Sequence, residues 1–576
     1  MPMKAVLVWW LLLIISAVAN GIEARTDAPN ILLIVAEDMS PRLGAYGDSL
    51  AKTPTLDALA ENGLRFTRAY TVSGVCAPSR SSLITGVYAT SMGTHQMRTS
   101  QGVLADGKIG YEAVPPPEVK AFPELLRAAG YSTANWAKKD YQFGEPSTIW
   151  DVDAGRFIGP IDPALWRRLP DDKPWFVMMN LVSTHESRLV VAGDAYPKQW
   201  APFVKAIADE RASTVTPVTD PSAVIVPGYF PDTPRVRQSI AQHYDNIHFM
   251  DSQVASILDA LSEDGLSDDT IVIWTTDHGD PFPRAKRAVY ESGTHVPLII
   301  RAPGSASQGA LNEQLVSFVD LAPTILGFAG VTSPAFIQGR DIFTAGKRQY
   351  VFSARDRMDQ TSDRVRAVRD ERYRLIRNDV TEIPYFRPLA FRDMFPIMRE
   401  MWRMHEVEDL DAEQAYFFSS PRPKFELYDV TQDPDELNNI AMDPAMKAVV
   451  DRLGKALESW ISEVGDLGSV PEHLMVKNMW SGGDSQPVTN PPKVSIIQAS
   501  QENARVFLSE ETEGSSISWR QSDAEAWKLY TLPIDVVYGA SLSVKAIRYG
   551  FSESPTLCFT VAEGPESLPC EVVAKR

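Results

Sequence analysis

Three apolar runs in this chain each lead into ligand-like polar residues: Ile31 to Ala36 before Glu37 and Asp38, Phe176 to Val182 before His185, and Thr270 to Thr276 before Asp277 and His278. Unbroken apolarity of this length reads as a strand buried on both faces, as in a sheet covered by helices on either side. Amphipathic stretches at Thr55 to Asn62, Phe122 to Ala129 and Pro234 to Leu261 supply such helices. Alternating strands and helices predict an α/β fold with a central mixed, mostly parallel sheet flanked by helices. Its sites lie off the carboxyl ends of the strands. The acidic and imidazole side chains that follow the three runs would then converge.

The run Cys76-Ala77-Pro78-Ser79-Arg80-Ser81-Ser82-Leu83-Ile84-Thr85-Gly86 reads as a short helix, with Pro78 in its first turn and Gly86 ending it. Cys76 then sits at a helix N-terminus, where unpaired N–H groups and the dipole favour an anion, and Arg80 adds a positive fork one turn on. A sulfate or a phosphate fits there. The plainer alternative is a small buried cysteine ahead of a helix.

The same run carries the CxPSRxxxxTG signature and resembles the type I sulfatases of the alkaline phosphatase superfamily. The resemblance implies that Cys76 is oxidised to formylglycine, whose hydrate is the nucleophile, and that Arg80 holds it in place. It assigns Glu37, Asp38, Asp277 and His278 to a metal, with Glu37 standing where the family carries aspartate. Hard oxygen ligands suit Ca²⁺, or Mg²⁺, better than a soft metal. Lys138, in Gly130 to Tyr141, aligns with a sulfate-binding lysine, and Asp140 occupies the place where many members carry histidine. Asp140 then serves as a base or only positions the hydrate. His185 matches a histidine that contacts sulfate and protonates the leaving oxygen, and Lys286, four residues before Tyr290, matches a second sulfate-binding lysine. Lys139 and Arg287 are the neighbouring registers.

At 576 residues the chain exceeds one core. Residues 1–24 combine a basic start, an apolar segment and a small-x-small site, and read as a secretory signal, with a membrane anchor as the competing reading. The catalytic domain is expected over 25–345, a smaller α+β subdomain over 346–483, a Gly/Pro/Ser-rich linker over 484–492 and a β-sandwich over 493–576. The last resembles the immunoglobulin-like domain that ends chitobiases and hexosaminidases, through Gly514 to Trp519 and Val544 to Gly550. It would act as a spacer or a carbohydrate-binding module. In an exported protein Cys558 and Cys570 can pair, which leaves Cys76 alone.

A formal net charge of −18 argues against nucleic acid as a partner. A polyanionic substrate therefore needs local positive charge. The arginine-rich stretch from Arg355 to Arg377 either supplies it or forms a solvated hairpin around Asp370 and Glu371. Asp277-His278-Gly279-Asp280-Pro281-Phe282-Pro283 resembles the subgroup of heparan N-sulfatases, and that resemblance nominates His95, Arg98, His295, Arg355 and Arg357 as substrate-binding. The expected function is hydrolysis of sulfate from a sulfated polysaccharide or oligosaccharide, ulvan or a heparan-like glycan. A formylglycine-generating enzyme is the maturation partner, and no stable membrane anchor is expected. The alternatives are a phosphomonoester or phosphonate hydrolase, and a carbohydrate-binding protein with an inactive catalytic domain.

Overall fold

The computed structural model describes residues 28–99, 110–305, 308–562 and 567–569, so the signal-like segment and Cys570 lie outside the described residues. Strands β1 (Asn30–Ala36), β2 (Leu64–Tyr70), β3 (Ser132–Trp136), β4 (Val152–Ala154), β5 (Trp175–Leu181), β6 (Thr270–Thr276), β7 (His295–Arg301), β8 (Leu311–Asn312) and β9 (Val316–Ser317) form one sheet. Their order is β4-β3-β5-β1-β6-β7-β2-β8, with β9 also on β2. The pairs from β4 to β6 are parallel, and β7 runs antiparallel to both β6 and β2. The expected mixed, mostly parallel sheet is the one found. The largely apolar strands β1, β5 and β6 sit side by side in its centre, where both faces are covered.

Register turns this arrangement into a site. Ala36 pairs with Leu181 on one side and Thr276 on the other, so the three central strands end level. The residues that follow them are delivered to one edge of the sheet. The Cys76–Thr85 helix, buried throughout, points its N-terminus at that edge and ends at Gly86, whose φ of 71° suits glycine. Ser79 Oγ donates to the Asp277 carbonyl at 2.5 Å and ties helix to strand end.

A second sheet runs antiparallel in the order β10 (Val351–Arg355), β11 (Val365–Arg369), β12 (Tyr373–Asn378), β13 (Phe425–Asp429). The β11–β12 hairpin turns at Asp370, whose N–H donates to the Tyr373 carbonyl at 3.0 Å. Its arginines mostly face inward. Arg366 is fully buried between Asp356 at 3.0 Å and Asp466 at 2.5 Å, and Arg374 donates to the Val289 carbonyl and to Glu291. These side chains fasten the second sheet to its surroundings and do not form a solvated surface. Arg366→Met is accordingly expected to cost about 3–5 kcal/mol in denaturant unfolding, because it strands two buried carboxylates, and to leave KM for an oligosaccharide unchanged.

The C-terminal residues form two facing antiparallel sheets. One holds β14 (Lys493–Gln498), β15 (Asn503–Ser509) and β18 (Ile534–Val537), and the other β16 (Ser516–Arg520), β17 (Lys528–Leu529), β19 (Ser541–Ile547), β20 (Leu557–Val561) and β21 (Ser567–Pro569). Val506, Ile534 and Val536 of the first meet Leu542, Val544 and Phe559 of the second in a core of their own. Strands β17, β18 and β21 are too short to have been legible in the sequence.

Candidate active site

Cys76 is a free, buried cysteine at the level sheet edge. Its sulfur lies 3.4 Å from His278 Nε2, 3.5 Å from Lys286 Nζ, and 4.0 Å from both Glu37 Oε2 and Asp38 Oδ1. Asp277, Asp38, Glu37 and His278 are all fully buried. The backbone at Asp38 turns with φ 42°, a left-handed conformation offset by the Asp38 N–H bond to Asp277 Oδ1 at 3.0 Å. Burial of this many acids is tolerable only with counter-charges at hand. Arg80 supplies three contacts: Nε to Asp277 Oδ2 at 3.1 Å, Nη1 to Asn180 Oδ1 at 2.6 Å, and Nη2 to Glu37. Lys138 pairs with Glu37, and Lys286 pairs with Asp38 at 2.5 Å.

Charge in this cluster is steeply tuned. Burial pushes the Asp38 carboxyl up, but Lys286, His185 and His278 outweigh it and hold it well below the usual range. At Glu37 burial wins over Arg80 and the carboxyl is raised. Burial opposes a charged His278, yet Asp277 and Asp38 lift its imidazole to about 10, so the acids demand a cation at this point. His278 Nδ1 meets the Gly279 carbonyl at 2.9 Å, which makes Nδ1 a donor and turns Nε2 toward Asp38 Oδ1 at 3.0 Å, where a bound cation would take the place of the Nε2 proton. Ligand atoms of Asp38, Asp277, His278 and position 76 lie within 4.8 Å of one another, as do those of Glu37, Asp38, His185 and position 76. Hard carboxylate oxygens with one oriented imidazole fit a divalent cation.

Above Cys76 opens a cavity of ≈ 420 Å³ lined by Lys138, Asp140, His185, Lys286 and Arg98, with Phe157, Trp200, Phe203 and Phe391 among its other walls. Asp140 stands on the rim 3.4 Å from Lys138 Nζ. His185 Nδ1 is engaged with Ser187, through Oγ at 2.9 Å and the N–H at 3.2 Å, and burial together with Lys286 holds the imidazole well below 6.5. Of the neighbouring registers, Lys139 turns away to Glu145 and Asp153, and Arg287 donates twice to Glu186.

The nominated substrate contacts divide. Arg98 lines the cavity, paired with Asp359 at 2.6 Å. The others do not line it. His295 stacks on Tyr70 and holds the Thr67 carbonyl at 2.9 Å. Arg355 is buried against Asp363, and Arg357 makes two 2.8 Å bonds to Glu472. His95 is buried beside the Cys76–Thr85 helix, in a small space lined by Pro78, Tyr88 and Trp460. For these four, internal partners or packing replace the expected exposure to ligand.

Sequence reasoning missed Glu186, whose carboxylate lies 3.3 Å from Lys286 and whose N–H donates to Asp38 at 2.6 Å. It also missed Asn180 and the aromatic walls. Glu186 adjoins His185 and could have been flagged; the aromatics come from segments with no common motif.

Buried acids and cations around a cysteine at the edge of a mostly parallel sheet fit a hydrolase of tetrahedral oxyanion esters. Residues 29–331 match the family model described as Sulfatase, and residues 282–385 match that described as N-sulphoglucosamine sulphohydrolase, C-terminal. An ulvan-active sulfatase of Formosa agariphila is 36% identical over 93% of this chain and 92% of its own length. Human N-sulphoglucosamine sulphohydrolase is 29% identical over 77% of this chain and 91% of its own. A solved 2-O GAG sulfatase shares the fold with a TM-score of 0.54 at 19% identity, over 76% of this chain and 93% of that one. The chain belongs to the sulfatase family and is a sulfuric ester hydrolase.

Proposed function

We propose that this sulfatase removes sulfate from a sulfated polysaccharide or its oligosaccharides, with ulvan as the first glycan to test and a heparan-like glycan as the second. The observation that carries the reading is the placement of Cys76 between Lys286 and His278 at the base of an aromatic-walled cavity. Conversion of Cys76 by a formylglycine-generating enzyme would give a hydrated aldehyde that supplies a nucleophile and, through its second hydroxyl, a route to product release. The basic and apolar N-terminal segment supports export.

Glu37, Asp38, Asp277 and His278 would hold the metal, Ca²⁺ with Mg²⁺ as the alternative, which when bound would supply positive charge that activates the nucleophile and offsets charge on the sulfuryl group. Lys138 and Lys286 flank position 76 and stabilise the sulfuryl oxygens in a site that needs no rearrangement. Arg80 fixes Glu37 and Asp277 so that this edge keeps its shape. His185 donates a proton to the departing sugar oxygen. Its imidazole, held low by burial and Lys286, is raised when the substrate's anionic oxygens arrive beside it. Asp140 orients Lys138 from the rim. Phe157, Trp200, Phe203 and Phe391 offer flat apolar faces to a sugar ring, with Arg98 as the nearby cation for an acidic unit.

Sulfate release from ulvan, heparan, chondroitin, carrageenan and fucan oligosaccharides, with Cys76→Ala as control, tests the reading. Release by the parent alone supports it; glycan retention without release favours a binding protein, and faster phosphate release a phosphoester hydrolase. Ca²⁺ at 100 times its Kd is expected to stabilise the fold by about 2.7 kcal/mol in thermal unfolding, and an unchanged unfolding curve would count against the metal assignment.

A further inference from the structure

The C-terminal sandwich seats on the catalytic part of the chain directly behind the loop that carries Lys138 and Asp140. Tyr549, just past β19, is fully buried, and its ring stacks on Phe143 with centroids 5.1 Å apart and planes 9° apart. Phe143 in turn stacks on Tyr141 at 5.7 Å and 23°, and Tyr141 lines the cavity next to Asp140. The Tyr549 hydroxyl donates to Glu124 at 2.7 Å and accepts from the Ala121 N–H at 3.2 Å. The Gly550 N–H donates to the Phe143 carbonyl at 3.1 Å. A side chain at Gly550 would bring its Cβ to 2.1 Å from the Ala113 carbonyl oxygen, so this close approach requires glycine.

The loop needs such support. Ala137, Asp140 and Gln142 all have left-handed backbones, with φ of 68°, 54° and 66°. Conformations of that kind persist only where the surroundings over-determine them. Part of the support comes from the preceding segment: the Ala113 N–H donates to the Gln142 carbonyl, and the Gly144 N–H to Glu112, each at 2.7 Å. The sandwich holds that segment too, because Arg548 donates to the Pro115 carbonyl and Lys120 Nζ to the Gly514 carbonyl at 2.8 Å.

We propose that Tyr549 is a positioning residue for the sulfate site, holding Lys138 and Asp140 in register through the Phe143–Tyr141 stack, so that the sandwich contributes to turnover rather than serving as a spacer. The inference rests on the reading of Lys138 as a sulfate-binding lysine. The test compares full-length Tyr549→Ala, Tyr549→Phe and Leu542→Ala, the last truncating a residue of the sandwich's own core. Sulfate-release kinetics well below the unfolding temperature are paired with hydrogen exchange of the backbone over residues 137–145. Tyr549→Ala is expected to lower kcat on the order of tenfold or more and to speed exchange in that stretch. Tyr549→Phe recovers most of the rate, and Leu542→Ala keeps the parental kcat while lowering the unfolding temperature. Parental kcat and exchange in Tyr549→Ala, or equal rate losses in Tyr549→Ala and Leu542→Ala, would overturn the proposal. If the parent releases no sulfate, the functional reading fails by itself; exchange still decides, faster exchange in Tyr549→Ala supporting the positioning role and unchanged exchange refuting it.

Discussion

Cys76→Ser is expected to fold as the parent does and to lose multiple turnover by on the order of 10⁴-fold or more. Position 76 is buried at a helix N-terminus with Lys286 and His278 against it, and a hydroxyl fits that space with less bulk than a thiol. Serine can accept a sulfuryl group once, aided by the same flanking cations. It has no second hydroxyl with which to expel that group, so the reaction stops after one event per molecule. Peptide mass spectrometry should then find the introduced serine sulfated to nearly one equivalent, with no continuing release of free sulfate, and unfolding curves should match the parent's. Cys76→Ala should show neither. Sustained turnover by the serine variant would mean that a water or another side chain is the nucleophile, and the role given to formylglycine would fall.

How far the sequence could be read follows from how local each signal is. Glu37, Asp38, Asp277 and His278 follow strands whose apolar runs are unbroken, and the level ends of β1, β5 and β6 bring those residues together. Lys286 and Lys138 were separable from Arg287 and Lys139 only through spacing, and the structure shows the physical difference: the first two meet carboxylates beside Cys76, whereas Lys139 meets acids away from it and Arg287 is taken up by a two-bond pairing with Glu186. The arginine-rich stretch was opaque because several of its arginines have partners remote in sequence. Nothing around Arg357 announces Glu472, and nothing around Arg366 announces Asp466. Once paired and buried, such arginines lose their availability to a polyanion. The cavity walls were equally hidden, since Phe157, Trp200 and Phe391 meet only after the chain has folded.

Arg80→Ala is expected to lower kcat on the order of 10²–10³-fold and to destabilise the fold by about 3–5 kcal/mol, two losses with one origin. The Arg80 side chain is inaccessible to solvent, and its guanidinium reaches Asp277, Asn180 and Glu37 with separate nitrogens. Alanine leaves two buried carboxylates without the guanidinium that pairs with both, and their charge is then unfavourable because neither is exposed to solvent. Burial already raises the Glu37 carboxyl against the pull of Arg80, so removing Arg80 raises it further. At Asp277 burial is overcome by His278 and Arg80 together, and the loss of one moves that carboxyl upward as well. Protonated carboxyls make poor ligands, so stabilisation by Ca²⁺ should retreat to higher pH in the variant than in the parent. Arg80→Lys separates charge from shape. A single ammonium restores a positive charge, and with it part of the stability, but it cannot span three acceptors in a fixed fork. Its rate should stay near that of Arg80→Ala while its unfolding free energy moves toward the parent's. Full recovery of rate by lysine would show that Arg80 acts only as a counter-charge, and that the geometry of this edge is held by other contacts.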